Sequence, residues 1–283
     1  MRVTLILLAL ASMTACKQQA NKAEEPAKPA ALTWEGADYK DEAAKLAHGK
    51  RLAIIHDCTG CHGDNLQGLN VTADDPNYGD MNAPNVTLLM AKYSDDDFRK
   101  FIRSGVPKDG RDFWFMPVES FQFLSDADLD ALIAYLRTFK PEGTQLPPIR
   151  KGKGFEKDVE HGLGNTKQQV ARYQAESLPN LGQEHEWGRY LVSTTCTGCH
   201  NSQLQGYEGF TPNLDIAGTY SNEELTKLLT TGEGKTKKDL GMMSGIARNH
   251  FSHFTTKERA AVVGYVKARA DAIEDQAHDG ERD

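Results

Sequence analysis

The sequence predicts a mainly α-helical protein made of two similar domains. Its 283 residues are enough for two domains of about 100 residues each. The pentapeptide Cys-Thr-Gly-Cys-His occurs at residues 58–62 and again at residues 196–200. A similar series of helix signals surrounds both copies, and such an internal repeat indicates that one fold occurs twice.

Each pentapeptide contains the residue types that attach and ligate a haem. Two thiols three positions apart can each form a thioether with a haem vinyl group, and the adjacent imidazole then ligates the iron. We therefore expect two covalently bound haem c groups. The attachment residues are Cys58, Cys61, Cys196 and Cys199, and the proximal ligands are His62 and His200.

Zinc sites and disulfides also use cysteines at this spacing. In a zinc site built from two Cys-x-x-Cys pairs, about 15–20 residues usually separate the pairs. Here Cys196 lies 135 positions after Cys61 (196 minus 61). A redox dithiol does not require the histidine that follows each pair. Haem attachment is therefore favoured, with a structural zinc site or disulfides as the alternatives.

Composition divides the chain into six segments. We expect a signal peptide at 1–15, a flexible tether at 16–33, domain 1 at 34–145, a linker at 146–179, domain 2 at 180–272 and a polar tail at 273–283. The tether is rich in Ala, Lys, Gln, Glu and Pro, which is typical of disordered segments. Pro147, Pro148 and several glycines predict little regular structure in the linker.

The N-terminus resembles the export signal of a bacterial lipoprotein. It begins with Arg2, continues with the apolar run 3–10 and ends in Met13-Thr14-Ala15-Cys16. We expect cleavage before Cys16 and lipidation of this residue, with a plain cleavable signal as the alternative. Cys16 is also the one cysteine that the two haem motifs do not use. The mature protein is thus expected on the periplasmic side of a bacterial membrane, and Lys17 favours the outer membrane.

The repeat places the two halves in a common register. Ser94 and Ser221 each follow a tyrosine and precede acidic residues, which is a signal for a helix N-cap. Each predicted helix ends at a glycine, Gly105 or Gly232, that lies 12 positions after the tyrosine (105 minus 93; 232 minus 220). The first half has 11 extra residues before this point (138 minus 127, the offsets at the haem histidines and at the tyrosines), and they predict a surface loop within 70–82.

Two methionines occupy matching positions after these helices. The offset of 127 residues that aligns the glycines also aligns Met116 with Met243 (243 minus 116). Because a methionine thioether is a common sixth ligand of a cytochrome haem, we expect Met116 and Met243 to be the sixth ligands. The alternatives in domain 2 are Met242, His250 and His253, whereas His48 and His56 precede their motif and are less suited.

The order of these features resembles that of class I cytochromes c, here in tandem. The resemblance covers both domains and implies that each consists of a few helices wrapped around a covalently bound haem. It also implies that Pro84 and Pro212 lie near the proximal histidines. The first and last helices of each domain would cross with Gly49 against Tyr135 and with Gly188 against Tyr265. Met243-Ser244 departs from the family's common Met-Pro pair.

The expected ligands predict electron transfer. An iron held by both histidine and methionine has no vacant position for oxygen or peroxide. We therefore expect a membrane-tethered one-electron carrier in a periplasmic respiratory or dehydrogenase-linked chain, with redox proteins as its donor and acceptor. The alternatives are a dihaem peroxidase, in which one site lacks its methionine, and a dedicated electron-accepting subunit of an oxidoreductase complex.

The charge pattern bears on the partners of the protein. The formal net charge of −7 gives no electrostatic basis for binding nucleic acid. Lys235, Lys237 and Lys238 lie just before Met243. They form either a docking patch for a redox protein or a solvated loop.

Overall fold

The two halves of the chain contain helices in the same order. The computed structural model describes residues 32–280, and the burial of side chains through residue 273. The first half comprises α1 (Glu42–Ile55), α2 (Cys58–His62), α3 (Val86–Lys92), α4 (Asp95–Ser104), α5 (Val118–Phe121) and α6 (Asp126–Leu136). The connecting segment contains α7 (Lys153–Glu160) and α8 (Thr166–Ala175). The second half comprises α9 (Glu186–Thr195), α10 (Thr197–His200), α11 (Asn222–Thr231), α12 (Met242–Asn249) and α13 (Thr256–Gly280). The predicted mainly α-helical fold is confirmed.

Short strands and 3-10 helices complete the described fold. The strands are β1 (Leu69–Asn70), β2 (Gly79–Asp80), β3 (Asn82–Ala83) and β4 (Arg150–Lys151). β1 pairs with β3 and β2 pairs with β4, in both cases antiparallel. The 3-10 helices are Gln183–His185, Leu214–Thr219 and Phe251–His253. Among the described helices, none is both long and apolar enough to cross a membrane.

The capped helices of the two halves form as the sequence predicts. In α4 and in α11, the N-cap serine and the acid three positions later exchange hydrogen bonds in a capping box. The helices end at Gly105 (φ 68°) and Gly232 (φ 75°) in the left-handed conformation. Glycine suits this position because it has no Cβ to clash with the carbonyl oxygen.

In each half, the first and last helices cross at a glycine. A Cβ on Gly49 of α1 would lie 2.0 Å from the carbonyl oxygen of Ala131 and 2.9 Å from Cβ of Tyr135. In the second half, a Cβ on Gly188 would lie 2.3 Å from the carbonyl oxygen of Ala261 and 2.7 Å from Cβ of Tyr265. The glycine and tyrosine pairs therefore meet as the family resemblance implies.

The connecting segment differs from its prediction. The linker 146–179 was expected to have little regular structure, but it contains β4, α7 and α8. Phe155 of α7 and Val170 and Tyr173 of α8 are buried. Phe155 packs against Tyr78, Trp114 and Phe115. Tyr173 instead reaches the second half, where its hydroxyl donates to the carbonyl oxygen of Thr197. The segment is thus part of the packed structure, since β4 pairs with β2 of the insertion.

The predicted polar tail lies largely within a helix. The helix α13 continues to Gly280, through most of the segment 273–283 that was expected to be a polar tail. No glycine or proline interrupts the sequence from 265 to 279, and Ala, Lys, Arg, Glu and Gln favour a helix. The predicted signal peptide, nearly all of the predicted tether and Cys16 lie outside the described residues.

Two buried carboxylates join the halves. Asp128, the third residue of α6, accepts a hydrogen bond from the Tyr190 hydroxyl of α9 at 2.5 Å. Its other oxygen lies 2.7 Å from His48 Nε2 of α1. Glu258, the third residue of α13, pairs with Arg51 of α1, with 2.8 Å between Nη1 and Oε2. Both carboxylates are fully buried, and the described residues form one compact unit.

The helix crossing in the second half can be tested by adding one methyl group at either of two glycines. We expect Gly188→Ala to lower the free energy of unfolding by about 1–3 kcal/mol, because the Cβ would overlap the backbone of α13. Gly264→Ala is the matched control on the partner helix, since a Cβ there meets no atom within 4 Å and the corresponding residue of α6 is Ala134. It should raise stability by about 0.5–1 kcal/mol. Urea denaturation of the holoprotein measures both effects, and equal losses for the two variants would contradict the crossing.

Candidate functional site

The first pentapeptide forms a single helical turn, α2. Asp57 precedes it in the left-handed conformation (φ 52°), and its carboxylate accepts a hydrogen bond from the Gly60 N–H at 3.0 Å. Because residues three positions apart lie on the same face of a helix, the turn brings the side chains of Cys58 and Cys61 to one side. His62 ends the turn and is buried.

His62 is oriented by a backbone carbonyl. Its Nδ1–H donates to the carbonyl oxygen of Pro84 at 2.8 Å. The hydrogen bond fixes the proton on Nδ1 and leaves Nε2 as the basic nitrogen that can bind a metal. Burial lowers the pKa of His62, with the hydrogen bond acting in the opposite direction. The imidazole is therefore held neutral, as a metal ligand must be.

Met116 and His62 line the same apolar cavity. The other lining residues are Cys58, Leu66, Pro84, Val86, Leu89, Phe98, Phe101, Ile102, Phe113, Phe121, Leu124, Leu129, Leu132 and Leu136. The cavity thus combines one thiol, one imidazole and one thioether with apolar walls. This donor set fits a haem that is attached through a thioether and bound by histidine and methionine.

The second half repeats the hydrogen bond of the proximal histidine at His200. Its Nδ1–H donates to the carbonyl oxygen of Pro212 at 2.9 Å, and burial lowers its pKa. Met243 is partly buried and packs against the core, whereas 62% of Met242 is exposed. The register and the packing therefore both favour Met243 over Met242.

Ser244 accounts for the departure from the Met-Pro pair. Its hydroxyl donates to the carbonyl oxygen of Gly232 and accepts a hydrogen bond from the Leu240 N–H. The side chain is fully buried. The serine therefore ties the start of α12 to the end of α11, which is a role that proline, with no hydroxyl, cannot have.

The four alternative histidines lie elsewhere. His250 donates through Nδ1 to the carbonyl oxygen of Ile54 at 2.7 Å, and its Nε2 lies 3.3 Å from Asp57. Of the other three, His253 is exposed, His48 contacts Asp128, and His56 is buried against Trp34 and Phe121.

The motif cysteines are held as neutral thiols. Burial raises the pKa of Cys58 to about 12 and that of Cys196 to about 11. Burial is also the main cause of the raised pKa of Cys61 and of Cys199. Zinc binds the thiolate, so these environments disfavour the zinc alternative. Within the described residues, no group of three or more His, Cys, Asp or Glu side chains is arranged to hold a metal ion.

Each half packs on the haem motif of the other half. A Cβ on Gly198 in the second motif would lie 3.5 Å from Cβ of Pro117, which follows Met116. Ser120 Oγ and Thr197 Oγ1 form a hydrogen bond at 2.8 Å. In the opposite direction, His250 of the second half contacts Asp57, which caps the first motif. The two motifs are therefore held at a fixed separation.

Glu119 is a buried acid that the sequence analysis did not identify. It lies in α5, close enough for its charge to raise the pKa of Cys199 and of Tyr173. Burial raises its own pKa from 4.5 to about 7. The signal in the sequence is an acid two residues after Pro117, between the apolar residues Val118 and Phe121.

The lysines before Met243 are not equivalent. Lys235 contacts the Glu224 carboxylate at 3.3 Å and the carbonyl oxygen of Thr219 at 2.5 Å. Lys237 and Lys238 are exposed. The expected docking patch therefore has one lysine that is already engaged within the protein.

The sequence matches the cytochrome c family over residues 46–140 and 186–270. The chain therefore belongs to the cytochrome c family, with one family segment in each half. Members of the family bind haem c covalently.

Known relatives of the chain are components of dehydrogenases. It is 24% identical over 279 residues to the gluconate 2-dehydrogenase cytochrome c subunit of Pantoea cypripedii, covering 82% of this chain and 61% of that protein. It is 25% identical over 260 residues to the fructose dehydrogenase cytochrome subunit of Gluconobacter japonicus, covering 79% and 52%. It is 28% identical over 206 residues to a nicotinate dehydrogenase subunit of Pseudomonas putida, covering 69% and 17%. The chain thus spans less than two thirds of the length of each of these relatives.

Glu119 predicts a pH dependence of stability. Its pKa is about 7 in the folded protein and 4.5 when exposed, so unfolding releases a proton between these values. The contribution of the neutral acid is fully present below pH 4.5 and is lost as the pH rises to about 7. The loss is on the order of 3 kcal/mol. Urea denaturation of the holoprotein at pH 5 and pH 8 measures it.

The matched variants are Glu119→Gln and Glu208→Gln. The amide cannot ionise, so Glu119→Gln should remove most of this decrease. Glu208 is exposed, and its replacement should keep the wild-type pH dependence. A decrease that persists in Glu119→Gln would contradict the assignment.

Proposed function

We propose that the protein is a dihaem one-electron carrier that accepts electrons from a dehydrogenase. The observation that carries this proposal is the cavity in which Cys58, His62 and Met116 meet among apolar side chains. The same residue types recur in the second half as Cys196, Cys199, His200 and Met243. Bound at the two sites, haem c supplies one-electron chemistry between Fe(III) and Fe(II).

The residues around each site have separate roles in this proposal. The cysteines of each motif hold the macrocycle through thioethers, and His62 and His200 are the proximal ligands. The carbonyl oxygens of Pro84 and Pro212 accept the Nδ1 protons, which keeps each imidazole in one orientation and makes its Nε2 more basic. Met116 and Met243 are the sixth ligands. A thioether is a soft donor that favours Fe(II), and it fills the position at which peroxide would bind.

The proposed electron donor is a dehydrogenase, with a second redox protein as acceptor. Support comes from the relatives, since two of them are cytochrome subunits of gluconate and fructose dehydrogenases. Contact between the halves gives the proposal a physical basis, because Pro117 and Ser120 pack against the second motif. The two sites are thereby held in one packed unit, so an electron that enters at one can leave through the other.

We further propose that the carrier is anchored by lipid at Cys16 on the periplasmic side of a membrane. The support is the sequence Met13-Thr14-Ala15-Cys16 after an apolar run, together with the export that attachment of haem c requires. Lys17 favours the outer membrane over the inner membrane.

The ligand assignment can be tested by spectroscopy. The wild-type holoprotein should contain two haems per chain in an alkaline pyridine assay and should show the near-infrared band of sulfur bound to ferric iron. Met116→Ala and Met243→Ala should each remove about half of this band, because each removes one thioether ligand. Met242→Ala is the matched control and should leave the band unchanged.

Three results would contradict the proposed function. They are fewer than two covalent haems per chain, carbon monoxide binding at either reduced wild-type site, and peroxide consumption with a reduced donor. The last two would instead select the dihaem peroxidase.

The lipid anchor can be tested by fractionation of cells. Wild-type protein should remain with the membranes, because two or more acyl chains give stable anchoring. Cys16→Ser should move to the soluble periplasmic fraction with both haems still attached. Lys17→Asp is the control variant, and it should stay membrane-bound but shift to the inner membrane. Release of the wild-type protein by osmotic shock alone would contradict the anchor.

A further inference from the structure

The residue before Met116 has an unusual backbone conformation. Phe115 has φ 63°, in the left-handed region that a bulky L-residue rarely adopts. Such a conformation persists only where the surrounding structure enforces it. It lies in the Met116 loop, which we define as residues 106–117 between α4 and α5. Contacts from outside this loop must therefore enforce the conformation.

An aromatic cluster packs on Phe115 from outside the loop. Phe155 of α7 is 1% exposed, and its ring centroid lies 5.8 Å from that of Phe115 and 5.1 Å from that of Trp114. Tyr78 of the insertion lies 5.8 Å from Phe115. The Lys151 ammonium lies 4.9 Å from the Trp114 ring and 5.2 Å from the Phe155 ring. Edge-to-face aromatic pairs and cation–π contacts of this kind are attractive.

The start of α8 fastens the backbone of the same loop. The Thr166 N–H donates to the carbonyl oxygen of Phe113 at 2.9 Å, and the Thr166 hydroxyl donates to the carbonyl oxygen of Gly105 at 2.6 Å. Asn165, the N-cap of α8, donates through Nδ2 to Asp112 at 2.8 Å. The loop is thus tied just before its first residue and again three positions before Met116.

The second half has no corresponding contacts among the described residues. The aromatic cluster uses the 70–82 insertion and the connecting segment, and neither occurs in the second half. The loop before Met243 is held within the second half. Glu233 and Asp239 form a bridge, and Ser244 accepts a hydrogen bond from the Leu240 N–H. Lys235 and Glu233 pair with Glu224 and Lys227 of α11, and no aromatic cluster from outside the second half packs on the loop among the described residues. The lysines of this loop and Met242 are exposed.

We propose that Tyr78, Phe155 and Thr166 form a clamp that positions Met116 as the sixth ligand, so that the two sites differ in how readily this ligand is displaced. The proposal rests on the assignment of Met116 under the proposed function. Phe155 is a positioning residue, because it acts through Phe115 on the neighbouring methionine. Met116 therefore resists competing ligands, and Met243 exchanges more easily.

Competition with imidazole tests the clamp. Imidazole is added to oxidised holoprotein carrying Met243→Ala, in which the near-infrared sulfur band reports the Met116 bond alone. Phe155→Ala in this background should lose the band at an imidazole concentration about tenfold lower, equivalent to about 1.4 kcal/mol. Phe155→Leu, which keeps most of the buried volume, should lose the band at an imidazole concentration between that of Phe155→Ala and that of the background. Val159→Ala, at an exposed position on the same helix, should titrate like the background.

The outcomes separate the clamp from the function on which it rests. If Phe155→Ala and Val159→Ala titrate alike, the clamp is overturned while Met116 remains the ligand. If the Met243→Ala background has no sulfur band, the assignment of Met116 and the clamp are both overturned. Should Phe155→Ala fail to yield holoprotein, Tyr78→Ala carries the same test, because the Tyr78 ring is only half-buried. Tyr78→Ala should then lower the imidazole concentration at which the sulfur band is lost. An unchanged concentration would overturn the clamp.

Discussion

The arrangement of the two halves depends on two buried carboxylates that each reach across the interface. Asp128 and Glu258 occupy the third position of the last helix in their own half, where each also forms a hydrogen bond with the N-cap residue of that helix. A buried carboxylate is stable only when its oxygens are fully partnered, and removal of one partner of a buried pair costs about 3–5 kcal/mol. The partners of these two acids include Tyr190 and Arg51, which come from the opposite half. Each half therefore needs the other to supply a partner for its buried carboxylate, and this fixes the separation of the haem motifs.

This interface resembles that of a symmetric dimer, although both halves belong to one chain. The offset of 139 that aligns Gly49 with Gly188 also aligns Arg51 with Tyr190, and an offset of 130 aligns Asp128 with Glu258. The first helix of each half therefore donates to the last helix of the other, as in an isologous interface. The contacts have diverged in chemistry, since one is an ion pair and the other is a neutral hydroxyl bound to a carboxylate. The two contacts can differ because each half has its own sequence within one chain, so that the two copies can change independently.

Local features of the fold could be predicted from the sequence. Contacts between distant segments could be predicted only where the family resemblance implies them, as for Gly49 with Tyr135. The caps at Ser94 and Gly105 depend on residues within one helix, so the sequence contains all the required information. Asp128 and Glu258 lie in the first turns of their helices, but the partners that bury them across the interface, Tyr190 and Arg51, lie 62 and 207 positions away. The helices α7 and α8 were missed for the same reason. Phe155 is a single apolar residue in a polar stretch, and its burial depends on Tyr78, Trp114 and Phe115 from other segments.

The segment from Met116 to Ser120 contributes to both sites at once. Met116 lines the first cavity, Pro117 and Ser120 contact the second motif, and Glu119 lies near enough to Cys199 to raise the pKa of that thiol. A shift of this segment would therefore change the first ligand and the surroundings of the second attachment together. Packed interiors transmit such shifts because they are dense and have little free volume. The connecting helices hold this segment from one side, and the second motif holds it from the other. These contacts keep the two redox centres at constant geometry, although a long connection joins the two halves of the chain.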